Sequence, residues 1–255
     1  MPSHMHKHPL SGVARWTVPA ALCSVGMMGA WLAPGASAMA STPAASSGVV
    51  VHSAVKIWTA GHCLVNTETN NQIYDSSALF IPAYNGNLSN FDPFGEFVWN
   101  GGSTTATAWL RNRDLTEDEA AMTVGTSSTT GRTLGRAVGW DGFAWNQRPS
   151  EQFVAFGYPA ASPYNGNNLI EDIAATAAQD GGISGANATK PIAIGNPMTG
   201  GSSGGAWNIR WGTSGGPGLI NGHNDYKYDS QPLAMYSPYQ DTLSNTVRCF
   251  GATSC

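Results

Sequence analysis

The run Thr199-Gly200-Gly201-Ser202-Ser203-Gly204-Gly205-Ala206 carries the clearest chemical signal in the chain. Glycine loses more backbone entropy on ordering than any other residue, so glycines on both sides of a serine mark backbone that must approach something closely or take unusual dihedrals. A tight loop of this composition can turn several N–H groups into one space beside the Ser203 hydroxyl. A nucleophile next to an anion-stabilising nest is what acyl transfer requires. The same composition also fits an ordinary flexible loop. A hydroxyl nucleophile needs a base, and beyond residue 40 the only histidines are His52, His62 and His223. Imidazole suits the task because its pKa lies near working pH, so it can take a proton and return it. His62 stands in Thr59-Ala60-Gly61-His62-Cys63, far upstream of the serine.

Together these two segments resemble the chymotrypsin-like serine peptidases, whose histidine lies in TAxHC and whose serine lies in GxSGG. The serine segment departs from the usual form at Ser202, where aspartate is most familiar, and at Ala206, where proline is. The resemblance implies a His62–Asp–Ser203 triad, with the backbone N–H groups of Gly201 and Ser203 holding the oxyanion. In the family the aspartate opens a strand as D-x-A followed by apolar residues. Asp118-Glu119-Ala120 fits, and Met122 and Val124 continue the same parity, placing Asp118 on the face those residues bury. A local alternative competes: Thr116 with Glu119 forms a helix capping box. Asp114, Asp92 and Asp141 are the other candidates for the acid. In glutamate-preferring relatives a histidine behind the serine loop lines the primary pocket, and His223 occupies a comparable place as a substrate-binding residue. Met198 stands where those relatives carry threonine. The family's cysteine after the histidine pairs with one in the preceding strand. Ser46-Ser47-Gly48-Val49-Val50 looks like that strand with serine in the cysteine's place, which strands Cys63 and leaves Cys249 with Cys255 to close a terminal loop.

Gly201-x-Ser203-x-Gly205 also satisfies the nucleophile elbow of the α/β-hydrolases. That fold orders its triad serine, acid, histidine. No aspartate or glutamate lies between Ser203 and His223, the only later histidine, so the order is unavailable.

The chain has 255 residues, a formal net charge of −4 and only 11% charged residues. It holds no basic run, which argues against a nucleic-acid partner. Its 31 glycines suit many short strands joined by tight turns. Residues 1–40 read as a signal peptide: Lys7 and Arg15 precede an apolar stretch from Trp16 to Leu32, and small residues offer cleavage after Ala38 or Ala40. Pro19, Gly26 and Gly29 interrupt that stretch, which argues against a membrane anchor. His4, His6 and His8 lie ahead of it and are assigned no metal site. Cleavage would leave little chain before His62, about half of what the family carries there. Either residues 25–32 then serve as the first strand and the leader reading fails, or the barrel is incomplete.

Strands are expected at Val49–Val51, Lys56–Thr59, Ala78–Pro82, Glu96–Trp99, Ala106–Leu110, Gln152–Pro159 (ending in a turn), Ile170–Ala177 and Pro217–His223. A terminal helix is expected from Ser237-Pro238 through about Val247. Ser184, in Gly181-Gly182-Ile183-Ser184-Gly185, lacks a second glycine on its far side and reads as loop. The resemblance thus implies an all-β chain of two antiparallel six-stranded-type β-barrels with a short C-terminal helix. Residues 41–130 form the N-terminal half and 131–255 the C-terminal half. The implied activity is that of a secreted, monomeric serine endopeptidase acting on peptide or protein substrates through an acyl-serine, with no cofactor, no metal and no membrane contact after signal cleavage. The competing class is a catalytically weak domain of the same fold that binds peptide or polymer.

Overall fold

Short stretches of valine, isoleucine and aromatic residues, bounded by glycine, asparagine and proline, favour pleated strands over helices. A computed structural model describes residues 13–18, 44–51, 55–65, 78–212 and 218–251. The first half contains β1 (Val13–Val18), β2 (Ala44–Val50), β3 (Lys56–Thr59), α1 (Gly61–Leu64), β4 (Leu79–Pro82), β5 (Phe97–Thr105), α2 (Thr107–Asn112) and β6 (Ala120–Ser127). Its strands close into a barrel in the order β1-β2-β3-β6-β5-β4. After α3 (Leu134–Val138) come β7 (Gly142–Phe143), β8 (Gln152–Gly157), β9 (Ile170–Gln179), β10 (Ile192–Gly195), β11 (Ala206–Ile209), β12 (Leu219–His223), β13 (Ala234–Ser237) and α4 (Thr242–Arg248). These strands form a seven-stranded sheet in the order β13-β10-β9-β8-β11-β12-β7. All its pairings are antiparallel except that of β7 with β12. The chain is thus a mostly β, chymotrypsin-like pair of curled sheets. Among the described residues no helix is long and apolar enough to cross a membrane.

Alternation along the strands builds the cores and the seam between halves. On β3, Ile57 faces a first core with Val50, Leu64, Phe80, Phe97, Met122 and Val124. Its neighbour Trp58 faces the opposite way, into a cluster that mixes both halves: Val49, Phe156, Tyr158, Ala206 and Ile220. On β8, Phe153 and Ala155 fill a third core with Ile194, Trp207 and Ile209. A strand of period two buried on both faces locks two layers at once. His62, one turn beyond β3, therefore sits at the end of a strand fixed from both sides.

Two local expectations, a strand at Ala106–Leu110 and an early start of the terminal helix, are corrected. Ala106–Leu110 is not a strand: the chain turns at Ala106, and α2 follows, ending at Arg113, whose φ of +55° forms a left-handed cap. The amphipathic run buries Trp109 (3% exposed). The capping box at Thr116 forms no helix, because Asp114 captures both Thr116 N–H and Thr116 Oγ1 on Oδ1 at 2.9 and 2.7 Å. The terminal helix begins at Thr242 with Asp241 as its N-cap, which accepts from Leu243 and Ser244 N–H in a capping box. Ser237 cannot cap it, since its hydroxyl accepts from His223 N–H and donates to the Pro238 carbonyl within β13. Finally, the closing strand of the first barrel is Val13–Val18, inside the segment read as a leader. Its composition of valine, tryptophan and threonine favours a strand. It pairs with β2 on one side and β4 on the other. The alternative strand at residues 25–32 lies outside the described residues, as do His52 and Cys255.

Candidate active site

Two side chains of the site are fixed by backbone that has little freedom. His62 lies in α1, where Cys63 N–H donates to the Ala60 carbonyl and Val65 N–H to that of Gly61. A Cβ at Gly61 would lie 2.7 Å from both Asp118 Oδ1 and Trp109 Cδ1, so only glycine lets the histidine turn meet the aspartate. Asp118 ends a tight turn before β6: Glu117 N–H donates to the Asp114 carbonyl, and Ala106 N–H to that of Glu119. The carboxylate grips His62 twice, with Oδ1 accepting from His62 N–H at 2.7 Å and Oδ2 from His62 Nδ1–H at 2.8 Å. That pair fixes the tautomer and leaves Nε2 for a proton exchange. The β6 strand starts at Ala120, two residues past Asp118, and buries Ala120, Met122 and Val124 on one face, the parity read from the sequence.

The serine loop is cradled by glycine and by asparagine. Gly201 and Gly204 take φ of +97° and +80°. Gly204 N–H donates to the Asn224 carbonyl, and Asn224 N–H returns to the Gly205 carbonyl, both at 2.8 Å. The Asn224 amide, fully buried, donates to the carbonyls of Phe156 (2.9 Å) and Ser202 (3.2 Å) and accepts from Trp207 Nε1 (2.8 Å) and Asn196 Nδ2 (3.0 Å). Among the described residues neither Gly201 N–H nor Ser203 N–H donates to a protein acceptor. Both residues are half-buried.

Ser47 joins this loop to the first barrel. Its N–H donates to the Ser203 carbonyl at 2.8 Å, and its hydroxyl donates to the Gly201 carbonyl at 3.1 Å and accepts from Tyr158 N–H at 2.9 Å. Thr59 Oγ1 in turn donates to the Ser47 carbonyl at 2.9 Å. The loop carrying Ser203 is thereby stitched to the strand that leads into His62. Serine makes polar contacts here, while Cys63, next to His62 in sequence, is buried and forms no disulfide.

His223 lies behind the aspartate with no exposed surface. Its Nε2–H donates to the Asp118 carbonyl at 3.0 Å, and its ring stands edge-on to Trp58. Burial and the neighbouring His62 push its pKa down to about 4, so it is neutral at physiological pH. Asp114 does not approach His62; its carboxylate caps the 114–116 turn and accepts from Ala186 N–H at 2.6 Å. Asp141 is buried against Asn208. Asp92 sits at the half-exposed Asp92–Gly95 turn, and Ser184 accepts from Lys190 Nζ.

One member of the site was not singled out from the sequence. Asp225 is buried, with Oδ1 3.3 Å from His62 Nδ1. It lies two residues past His223, just beyond the end of β12. The donor atoms of His62, Asp118 and Asp225 all lie within 4.8 Å of one another. Such a set can close on a cation, but the 2.8 Å Nδ1–Oδ2 separation is that of a charge-assisted hydrogen bond, whose proton fills that space. Burial works against a charge on His62. The Cys63 and Asp118 charges and the hydrogen bond to Asp118 outweigh it and raise its pKa above the ordinary value.

No protein-family model matches the sequence, and no curated protein matches it. Solved structures do match. The thermostable serine protease AL20 from an extremophilic microorganism is similar with 25% identity and a TM-score of 0.73, covering 96% of this chain and 99% of that one. Protease Anisep from Arthrobacter nicotinovorans has 26% identity and a TM-score of 0.72 over 94% and 95%. A Glu endopeptidase shares the fold alone, at 14% identity and a TM-score of 0.68 over 94% and 89%. Near-complete coverage of both chains by named serine proteases identifies the fold as trypsin-like and the chain as a serine-type peptidase.

Proposed function

We propose that the chain hydrolyses peptide bonds through an acyl-serine, with Ser203 as nucleophile, His62 as general base and acid, and Asp118 as its orienting carboxylate. The observation that carries this reading is the double hydrogen bond from His62 to Asp118 beside a glycine-cradled serine loop stitched to the same strand end. His62 Nε2 takes the Ser203 hydroxyl proton as Oγ attacks the substrate carbonyl, forming the C–O bond. The carbonyl oxygen becomes an oxyanion, and Gly201 and Ser203 N–H donate to it. His62 then gives its proton to the leaving nitrogen as the C–N bond breaks, and water repeats the sequence to release the acid. One oxyanion donor is worth about 2.7–4 kcal/mol of transition-state stabilisation.

The substrate is a peptide or protein met by the monomer. An acidic preference resting on His223 as an imidazolium finds no support in its burial and neutral state. Export stands on the apolar segment and small residues before Ala40, and its limit is β1: cleavage after Ala38 or Ala40 would remove that strand. Fluorophosphonate labelling tests the reading. The folded protein is expected to label and Ser203→Ala to stay unlabelled. Unlabelled wild-type protein would refute it.

A further inference from the structure

The site holds one carboxyl group more than the proposed triad uses. Asp225 Oδ1 lies 3.3 Å from the same His62 Nδ1 that already donates to Asp118 at 2.8 Å, and its side chain is fully buried. Neither of its carboxyl oxygens has a hydrogen-bond partner of ordinary geometry. Asp118, by contrast, accepts two hydrogen bonds from His62. The Asp225 backbone gives it no room to leave, since its N–H donates to the Tyr236 carbonyl at 3.0 Å. The titratable groups facing it among the described residues are His62 on α1, Asp118 before β6, and the adjacent Tyr226, whose hydroxyl is spent on Asp180. No lysine or arginine is among them.

Two ionised carboxylates cannot share one imidazole N–H in a site closed to water. A proton must sit on one of them, and hydrogen bonding decides which. Asp118 is stabilised as the anion by two donors, while Asp225 has none. We propose that Asp225 is a positioning residue that stays a neutral carboxylic acid and directs its proton to Asp118, so that His62 faces a single negative charge. The inference deepens the peptidase reading and rests on it for the word catalysis, but not for the protonation state.

The role has a mechanistic reason. A second carboxylate beside Nδ1 would push the His62 pKa higher still, and an imidazolium cannot accept the Ser203 proton. A neutral acid orients Asp118 without adding that charge. Burial and the Asp118 charge both drive the Asp225 pKa well above its ordinary value, and the contact to His62 only partly opposes them.

The test begins with the wild-type protein, using 13C-labelled aspartate and 15N-labelled histidine, with Asp225→Asn and Asp118→Asn to assign the signals. At pH 7 the Asp225 carboxyl carbon is expected at the carboxylic-acid position and Asp118 at the carboxylate position. Two carboxylate signals would overturn the proposal, and this readout does not depend on any peptidase activity. Asp225→Asn keeps a donor and cannot ionise. Its His62 titration and the acid limb of kcat/KM on a peptide substrate are expected within about 0.5 pH unit of wild type. A fall of the His62 pKa by about one unit or more would show that Asp225 is ionised and refute the inference. Asp225→Ala loses the donor; kcat is expected to fall about tenfold or more with KM little changed, and an unchanged kcat would refute the positioning role.

Discussion

Asn224 offers the sharpest test of how the serine loop is held. Asn224→Ala removes one buried amide and with it the acceptor for Trp207 Nε1 and Asn196 Nδ2 and the donor to the Phe156 and Ser202 carbonyls. A buried donor left without an acceptor costs about 1–3 kcal/mol, so the two orphaned N–H groups alone predict roughly 2–6 kcal/mol. Trp207 and Asn224 have no exposed surface, so water does not make up the loss without opening the core. Against a typical total stability of about 5–15 kcal/mol, the variant should fold but with a much earlier urea midpoint. The loop should suffer beyond that global loss, because Ser202 and Met198 both touch the amide directly. Urea unfolding followed by tryptophan fluorescence measures the first effect, and the second-order rate of fluorophosphonate labelling under native conditions the second. We expect labelling at least tenfold slower. A destabilisation under about 1 kcal/mol together with unchanged labelling would refute the view that this amide is the loop's anchor.

Two further perturbations isolate other parts of the argument. At Gly204 a Cβ would lie 2.0 Å from Thr59 Oγ1 and 2.4 Å from the Ser47 carbonyl, so Gly204→Ala is expected to abolish labelling and to cost about 3 kcal/mol or more. Gly101→Ala shares the positive φ but meets nothing within 4 Å; it should cost about 1–2 kcal/mol at most and leave labelling intact. Glu117 is buried with its pKa raised from 4.5 to about 8 by burial and by Asp241 and Asp114. The folded state therefore binds its proton more tightly than the unfolded chain, so stability is highest below about pH 4.5 at this group and falls as pH rises through about 8. Glu117→Gln should flatten the urea midpoint between those limits and raise it above pH 8 by roughly 1–3 kcal/mol, well under the unscreened maximum. An equal pH slope in both proteins would refute the assignment.

Much of this site can be read from residue order because it is built from local segments with strict steric demands. The glycines at 61, 201 and 204 stand where a Cβ would strike Asp118, Ala160 or Thr59, and those collisions leave a visible mark in composition. The parity of Ala120, Met122 and Val124 follows from burial of one strand face. What local pattern could not resolve depends on distant partners. Asp225 looks like an ordinary polar residue after a strand until β12 carries it to within 3.3 Å of His62. The Ser46–Val50 segment looks like a strand with serine in a cysteine's place, yet its Ser47 serves three contacts across the seam between halves. Thr116 and Glu119 have the spacing of a capping box, but Asp114 takes Thr116 and Ser244 takes Glu119. Ser237-Pro238 likewise has the form of a helix start, but Ser237 is spent on β12.

The closing strand bears on how firmly His62 is held. Residues 13–18 cannot both leave with a leader and pair with β2 and β4. Without them β2 and β4 become edges, which a barrel exists to avoid. The damage would stop short of the histidine, however. His62 hangs from β3, and β3 pairs with β2 on one side and β6 on the other, neither contact depending on β1. Trp58 on the outer face of β3 is packed by the second half, and Thr59 is tied through Ser47 to the serine loop. β1 therefore contributes to barrel closure, whereas the geometry of His62, Asp118 and the serine loop rests on β2, β3, β6 and the seam. A short N-terminal barrel is in consequence no argument for a loosely held His62 in this chain.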